Sequence, residues 1–166
     1  MSNGIINIFQ AAPPEQRSPT FDTDKLKQSF NAQRATDWTI GEAFLALLLS
    51  AIGVDGRVTA EEQNELMALV TRSRALKSMT QQQLAQANQT VSQRLQSRPN
   101  GLQEACESLP TDMRLTVFAH CVDIILADGE LHSVEADYLN RITTYLGLDR
   151  ADAERVQQVL LIKNRF

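Results

Sequence analysis

Two acidic pairs repeat one spacing along the chain: Asp55 with Glu62, and Asp128 with Glu135. Each pair brackets the pattern Asp-Gly-x-apolar-x-x-x-Glu, completed by Gly56 and Val58 in the first copy and by Gly129 and Leu131 in the second. An EF-hand calcium loop has an Asp, a sharp-turn Gly, a buried aliphatic and a terminal Glu at those separations in its second half. The first half of such a loop is missing. The positions four and two residues before Asp55 are Ala51 and Gly53, and those before Asp128 are Ile124 and Leu126, none of which carries a side-chain oxygen. A complete EF-hand is thereby excluded, but two half-loops packed about a pseudo-twofold axis could cooperate. Asp55, Glu62, Asp128 and Glu135 would then converge, and four carboxylates at close quarters repel unless protons or a cation intervene. Hard oxygen donors favour calcium, magnesium or manganese over zinc.

Much of the pattern also has a purely structural reading. Gly56 and Gly129 would end helices, Val58 and Leu131 would plug the core, and Thr59 with Glu62 would cap the following helix. The aspartates are the exception, because a carboxylate near a helix C-terminus meets the negative end of the macrodipole. Either an Asx-type turn, common at Asp-Gly, or a bound cation would account for an acid there twice.

The elements that must position these residues read as helices throughout. Helix formers abound, Gly and Pro are sparse after Phe21, and no alternating run of β-branched residues suggests a sheet. Residues 1–20, with Pro13, Pro14 and Pro19, read as a flexible tail, and 21–166 as one helical domain. A weak first helix is expected from Asp24 to Arg34. Thr39 with Glu42 forms a capping-box pattern that opens an apolar helix ending near Val54, and Thr59 with Glu62 opens another. Thr80 with Gln83 opens a third, polar helix whose stripe is Leu84, Ala87 or Asn88, Val91 and Leu95. After a break at Arg98-Pro99-Asn100-Gly101, a short helix runs to Leu109. A second apolar helix spans Met113 to Ala127, a further one Ser133 to Leu146 closed by Gly147, and Asp149 caps a last helix to Lys163. The expected fold is therefore an all-α, single-domain bundle of about seven helices. An offset of 73 superposes Asp55, Gly56 and Glu62 on Asp128, Gly129 and Glu135, together with Ala46 on Ala119, Ile52 on Ile125 and Leu66 on Leu139. An internally duplicated helix-turn-helix would produce that register.

Composition narrows the function classes. Sixteen Lys and Arg against twenty Asp and Glu give a net charge of -4, with no basic stripe to track phosphates, so nucleic acid is not an expected partner. The longest apolar run, Ala43 to Ile52 interrupted by Ser50, is too short to cross a bilayer. Cys106 and Cys121 match no disulfide framework and nothing resembles a signal peptide, which points to the cytoplasm. His120, Cys121 and Asp123 suggest a hydrolase triad, yet adjacent helical residues diverge by about 100° and cannot face each other as nucleophile and base. No enzyme activity is expected. Asp123 should find a Lys or Arg on another element, Trp38 should pack as a helix-start staple, and His132 should be an exposed turn residue.

At this point the chain resembles the TerB-like tellurite-resistance family, whose domain is also found in a membrane-anchored DnaJ-type co-chaperone. The resemblance covers roughly Phe21 to the C-terminus. It rests on Glu42-Ala43-Phe44 opening an apolar helix, on Val54-Asp55-Gly56-Arg57-Val58-Thr59 with Glu62, and on Ala127-Asp128-Gly129-Glu130-Leu131 with Glu135. It implies an internally duplicated all-helical bundle, a divalent-cation site at the paired acids and a role in stress or tellurite resistance. The chain departs from the family pattern at His132, where Ser or Thr is usual, which weakens the second cap. Two functional readings follow: a non-enzymatic cation-binding module in a stress-response assembly, or a metal-free scaffold whose acidic surface docks a protein partner.

The charge balance makes one reading testable at once. Labelled duplex or single-stranded DNA is expected to pass an immobilised column of this protein unretained at physiological salt, because phosphate neutralisation needs clustered cations. Salt-sensitive retention would overturn that expectation.

Overall fold

The computed structural model describes residues 36–165; the expected tail, residues 1–20, and the expected first helix, Asp24 to Arg34, lie outside the described residues. Within them the chain forms α1 (Ile40–Ala51), α2 (Ala60–Arg72), α3 (Gln81–Ser97), α4 (Gly101–Ser108), α5 (Thr111–Ile125), a 3-10 turn (Leu126–Asp128), α6 (Ser133–Tyr145) and α7 (Arg150–Lys163). No strand occurs among the described residues, so the all-α reading holds.

Helix starts follow the capping chemistry. Thr39 with Glu42, Thr59 with Glu62 and Thr80 with Gln83 each form the reciprocal pair in which side chain and backbone satisfy one another. Asp149 caps α7 by accepting from the Ala151 and Asp152 N–H groups at 2.9 and 3.2 Å. Helix ends depart further from expectation. α1 stops at Ala51, short of the expected Val54, because Gly53 takes a left-handed φ of 62°. α5 starts at Thr111, directly after Pro110, and its last turn tightens into the 3-10 segment.

α1 is apolar nearly all round because it is enclosed: it packs against α3, α4 and α5. Ala43, Phe44, Ala46, Leu47, Leu48 and Ala51 are all buried. α5 is the second central element, packing on α1, α2, α6 and α7 and burying Val117, Phe118, Cys121, Val122, Ile124 and Ile125. On α3 it is Ala87 that turns inward and Asn88 that is exposed. Leu76, in the connection between α2 and α3, is also fully in the core.

Polar contacts then pin the helices to one another. Trp38 is buried at the position before the Thr39 cap and is also held across helices: Arg94 lies 5.0 Å over its ring, and the Trp38 Nε1 donates to Glu104 at 3.4 Å. Arg98 joins the same group through Glu104 and Asp37, both at 2.9 Å. The Arg114 guanidinium donates to three backbone carbonyls, those of Glu107, Leu109 and Leu146, at 2.9 to 3.0 Å. It thus satisfies carbonyls at the C-terminal ends of both α4 and α6. Deepest of all, the Tyr138 hydroxyl donates to the Leu47 carbonyl at 3.0 Å and lies 2.8 Å from Ser50 Oγ, binding α6 to the last turn of α1.

Tyr138→Phe keeps the ring and removes this link. It is expected to cost about 1 to 3 kcal/mol, the range for leaving buried hydrogen-bond partners unmatched. In urea unfolding the midpoint should fall with the slope unchanged. A variant as stable as the parent would show that the hydroxyl contributes nothing to the docking of α6.

Candidate functional site

The two Asp-Gly turns are built alike. Gly56 and Gly129 take left-handed φ values of 86° and 85°, and each N–H closes a tight turn, onto Gly53 at 2.8 Å and onto Leu126 at 3.0 Å. Asp55 Oδ1 accepts from the Arg57 N–H at 2.9 Å, and Asp128 Oδ1 from the Glu130 N–H at 3.0 Å. Each aspartate is exposed and closes an Asx-type turn. That bond gives both acids a structural occupation for one of their oxygens.

The glutamates lie inside. Glu62 is 4% exposed and Glu135 3% exposed. Glu62 Oε2 accepts from the Thr59 N–H at 2.8 Å, and its Oε1 from the Gly53 N–H at 3.4 Å, so it ties the start of α2 to the end of α1. Glu135 Oε2 accepts from the His132 N–H at 2.7 Å. Its other oxygen has no hydrogen-bond donor among the described residues. His132 is exposed, and the backbone bond to Glu135 fixes the start of α6 although the Thr of the first cap is missing here.

Burial pushes the Glu135 carboxyl above its ordinary range, and the charges of Asp128 and Asp55 push it further the same way. The His132 N–H bond and imidazole act in the opposite sense. Asp55 belongs to the first turn and Glu135 to the second hairpin, so the structure brings the two halves within electrostatic reach. The 3-10 turn carrying Asp128 packs on α2, which agrees with that arrangement. Both Glu62 oxygens are already occupied, by the Gly53 and Thr59 N–H groups. Among the described residues, no group of three or more His, Cys, Asp or Glu side chains is gathered closely enough to hold a metal ion as it stands.

Val58 and Leu131 were expected to plug the core, and they do not: they are 53% and 38% exposed. Val58 instead lies across the bare α-carbon of Gly53, where a β-carbon would meet its Cγ2 at 2.7 Å. In both motifs the exposed aliphatic residue lies two positions after a left-handed glycine, Gly56 or Gly129.

The other chemical candidates are occupied elsewhere. Asp123 Oδ1 accepts from Lys163 Nζ at 2.7 Å and from Asn164 Nδ2 at 3.3 Å, the cross-element cation expected for it. Burial raises the Cys121 thiol well above its usual value and pushes Cys106 up to about 12, so both stay protonated and unreactive near neutral pH. The His120 ring sits 5.7 Å from that of Phe44 at an angle of 38°. Sequence reading passed over the Tyr138–Ser50 pair, for which the one available signal was a serine interrupting an apolar run, and it passed over Arg114 entirely.

Burial also lowers the His120 imidazole below its ordinary value of 6.5; Lys163 and Arg72 lower it further, while Asp123 and Glu65 oppose. The folded state therefore favours the neutral ring. The stability it contributes is present above the unfolded value of about 6.5 and is lost as pH falls below it. Thermal midpoints of the parent and of His120→Gln, measured from about pH 8 down to about pH 5, are expected to converge at the acid end. Parallel curves would refute this.

Against known proteins, the family model described as tellurite resistance protein TerB matches residues 41–158, more than half of the chain. The match begins in α1 and ends in α7, so it includes both turns and both buried glutamates. No curated protein and no solved structure matches. No helix among the described residues is long and apolar enough to cross a membrane.

Proposed function

We propose, from the fact that this chain belongs to the TerB tellurite-resistance family, that it is a non-enzymatic helical module holding a divalent cation at its paired acidic turns. The cation is calcium, magnesium or manganese, the ligands are drawn from Asp55, Glu62, Asp128 and Glu135, and the module works with a protein partner in a cytoplasmic stress or tellurite-resistance assembly. One observation carries the reading. Glu135 is buried, has one oxygen without a donor, and feels the negative charge of an aspartate from each turn. Such an arrangement is relieved by a hard cation. Binding needs the turns to close, with Asp55 and Asp128 turning their second oxygens toward Glu135. Glu62 contributes by fixing the first turn through Gly53 and Thr59.

Thermal unfolding of the parent and of an Asp55→Asn, Asp128→Asn double variant, in chelator and in millimolar calcium, magnesium or manganese, tests this. In chelator the variant is expected to match the parent or exceed it slightly, since Asn still closes the turn and two like charges are gone. An ion at 100 times its dissociation constant stabilises the fold by about 2.7 kcal/mol, roughly 5 to 10 °C for a domain of this size. One of the ions should raise the parent's midpoint by that order and leave the variant nearly unmoved. Equal shifts in both proteins would mean ordinary screening, and no shift in either would retire the cation and leave the aspartates as turn residues.

A further inference from the structure

The turn end of the bundle carries two features that a cation does not use. The first is exposed apolar surface: Val58, Leu131 and Val134 are 53%, 38% and 48% exposed. Val58 and Leu131 occupy the same place in the two Asp-Gly motifs, so both hairpins present an aliphatic side chain immediately after the turn. The second is charge. Beside the two buried glutamates, residues 55–62 and 128–137 hold five exposed acids, Asp55, Glu61, Asp128, Glu130 and Asp137, against a single basic residue, Arg57, while the whole chain has twenty acids against sixteen bases. Acid is concentrated where the aliphatic side chains emerge. The 3-10 turn that carries Asp128 packs on α2, the helix that the first turn opens, so the two turns are joined through α2 at this end of the bundle.

We propose that this end of the molecule is a docking surface for a basic, amphipathic helical segment of a partner protein. Val58, Leu131 and Val134 meet its apolar face, and the surrounding carboxylates, Asp55, Asp128 and Glu130 among them, meet its Lys and Arg side chains. An aliphatic anchor surrounded by charge of one sign selects a segment with both properties: a neutral apolar helix leaves the acids unmatched, and a simple basic chain leaves the aliphatics in water. A second copy of this chain is disfavoured as occupant, since turn end on turn end would set acid against acid. The inference gives the partner in the proposed function a chemistry and a place, and it rests on that reading only for the existence of a partner, not for the cation.

The test uses the full chain in chelator and a fluorescent peptide of roughly 18 residues, about five helical turns, with leucines on one face and lysines on the other. Anisotropy should show saturable binding that weakens as salt is raised. The same peptide with Glu in place of Lys should not bind. A Val58→Ser, Leu131→Ser, Val134→Ser triple variant is expected to bind at least tenfold more weakly, while keeping its helical circular-dichroism spectrum and a cooperative melt whose midpoint falls only modestly, since each side chain is only about half-buried. If the triple variant binds as tightly as the parent, the attraction is charge alone and the proposal fails. Absence of binding at low salt also overturns it, as does a concentration-dependent dimer that the triple variant abolishes, which would give the face to a second copy. The cation reading is judged separately: the triple variant should keep the parent's ion-induced melting shift, whereas the Asp55→Asn, Asp128→Asn variant should lose it. Peptide binding without any ion shift leaves the docking surface standing and removes the cation.

Discussion

A carboxylate sealed from water must be given hydrogen-bond donors by its surroundings, and the arrangement of both hairpins depends on how Glu62 and Glu135 obtain them. Glu62 takes the Thr59 and Gly53 N–H groups, which places the first residues of α2 against the last of α1. Glu135 takes the N–H of His132. Neither bond adds more than a modest increment to stability, since the N–H groups would otherwise bond to water. Their effect is geometric. In the first hairpin the glutamate draws the start of α2 onto the end of α1, and in both hairpins the turn closes through a left-handed glycine two positions before an exposed aliphatic residue.

The helical character of the chain and most helix starts were readable from sequence because they rest on local chemistry. A threonine followed three residues later by Glu or Gln satisfies free backbone donors wherever it occurs, and Thr39, Thr59 and Thr80 all do so. Helix ends and inward positions depend on tertiary context. Whether α1 ended at Ala51 or Val54 turned on which of two glycines went left-handed first, and Gly53 did. The fate of Leu76 was hidden in a connection with no periodicity to read.

The site was readable in its residues and misread in its neighbours. Repeated spacing singled out Asp55, Glu62, Asp128 and Glu135, and the buried glutamates with exposed aspartates fit the hairpin origin of that spacing. What spacing could not convey is which oxygens the backbone already occupies, since an Asx bond and a metal bond ask for the same residue at the same place. Val58 and Leu131 do not enter the core, although an aliphatic residue between a helix-ending glycine and the next helix reads structurally as a core plug. Here each follows a left-handed glycine and faces water.

Arg114 holds the ends of α4 and α6 with one planar group. A guanidinium has its donors in a rigid fork, so a side chain aligned on Glu107 and Leu109 presents its remaining donor in a fixed direction, toward the Leu146 carbonyl. One residue thereby serves as the C-terminal cap of two helices that lie far apart in sequence, and the end of α6 is held in register with the end of α4 by a single planar group.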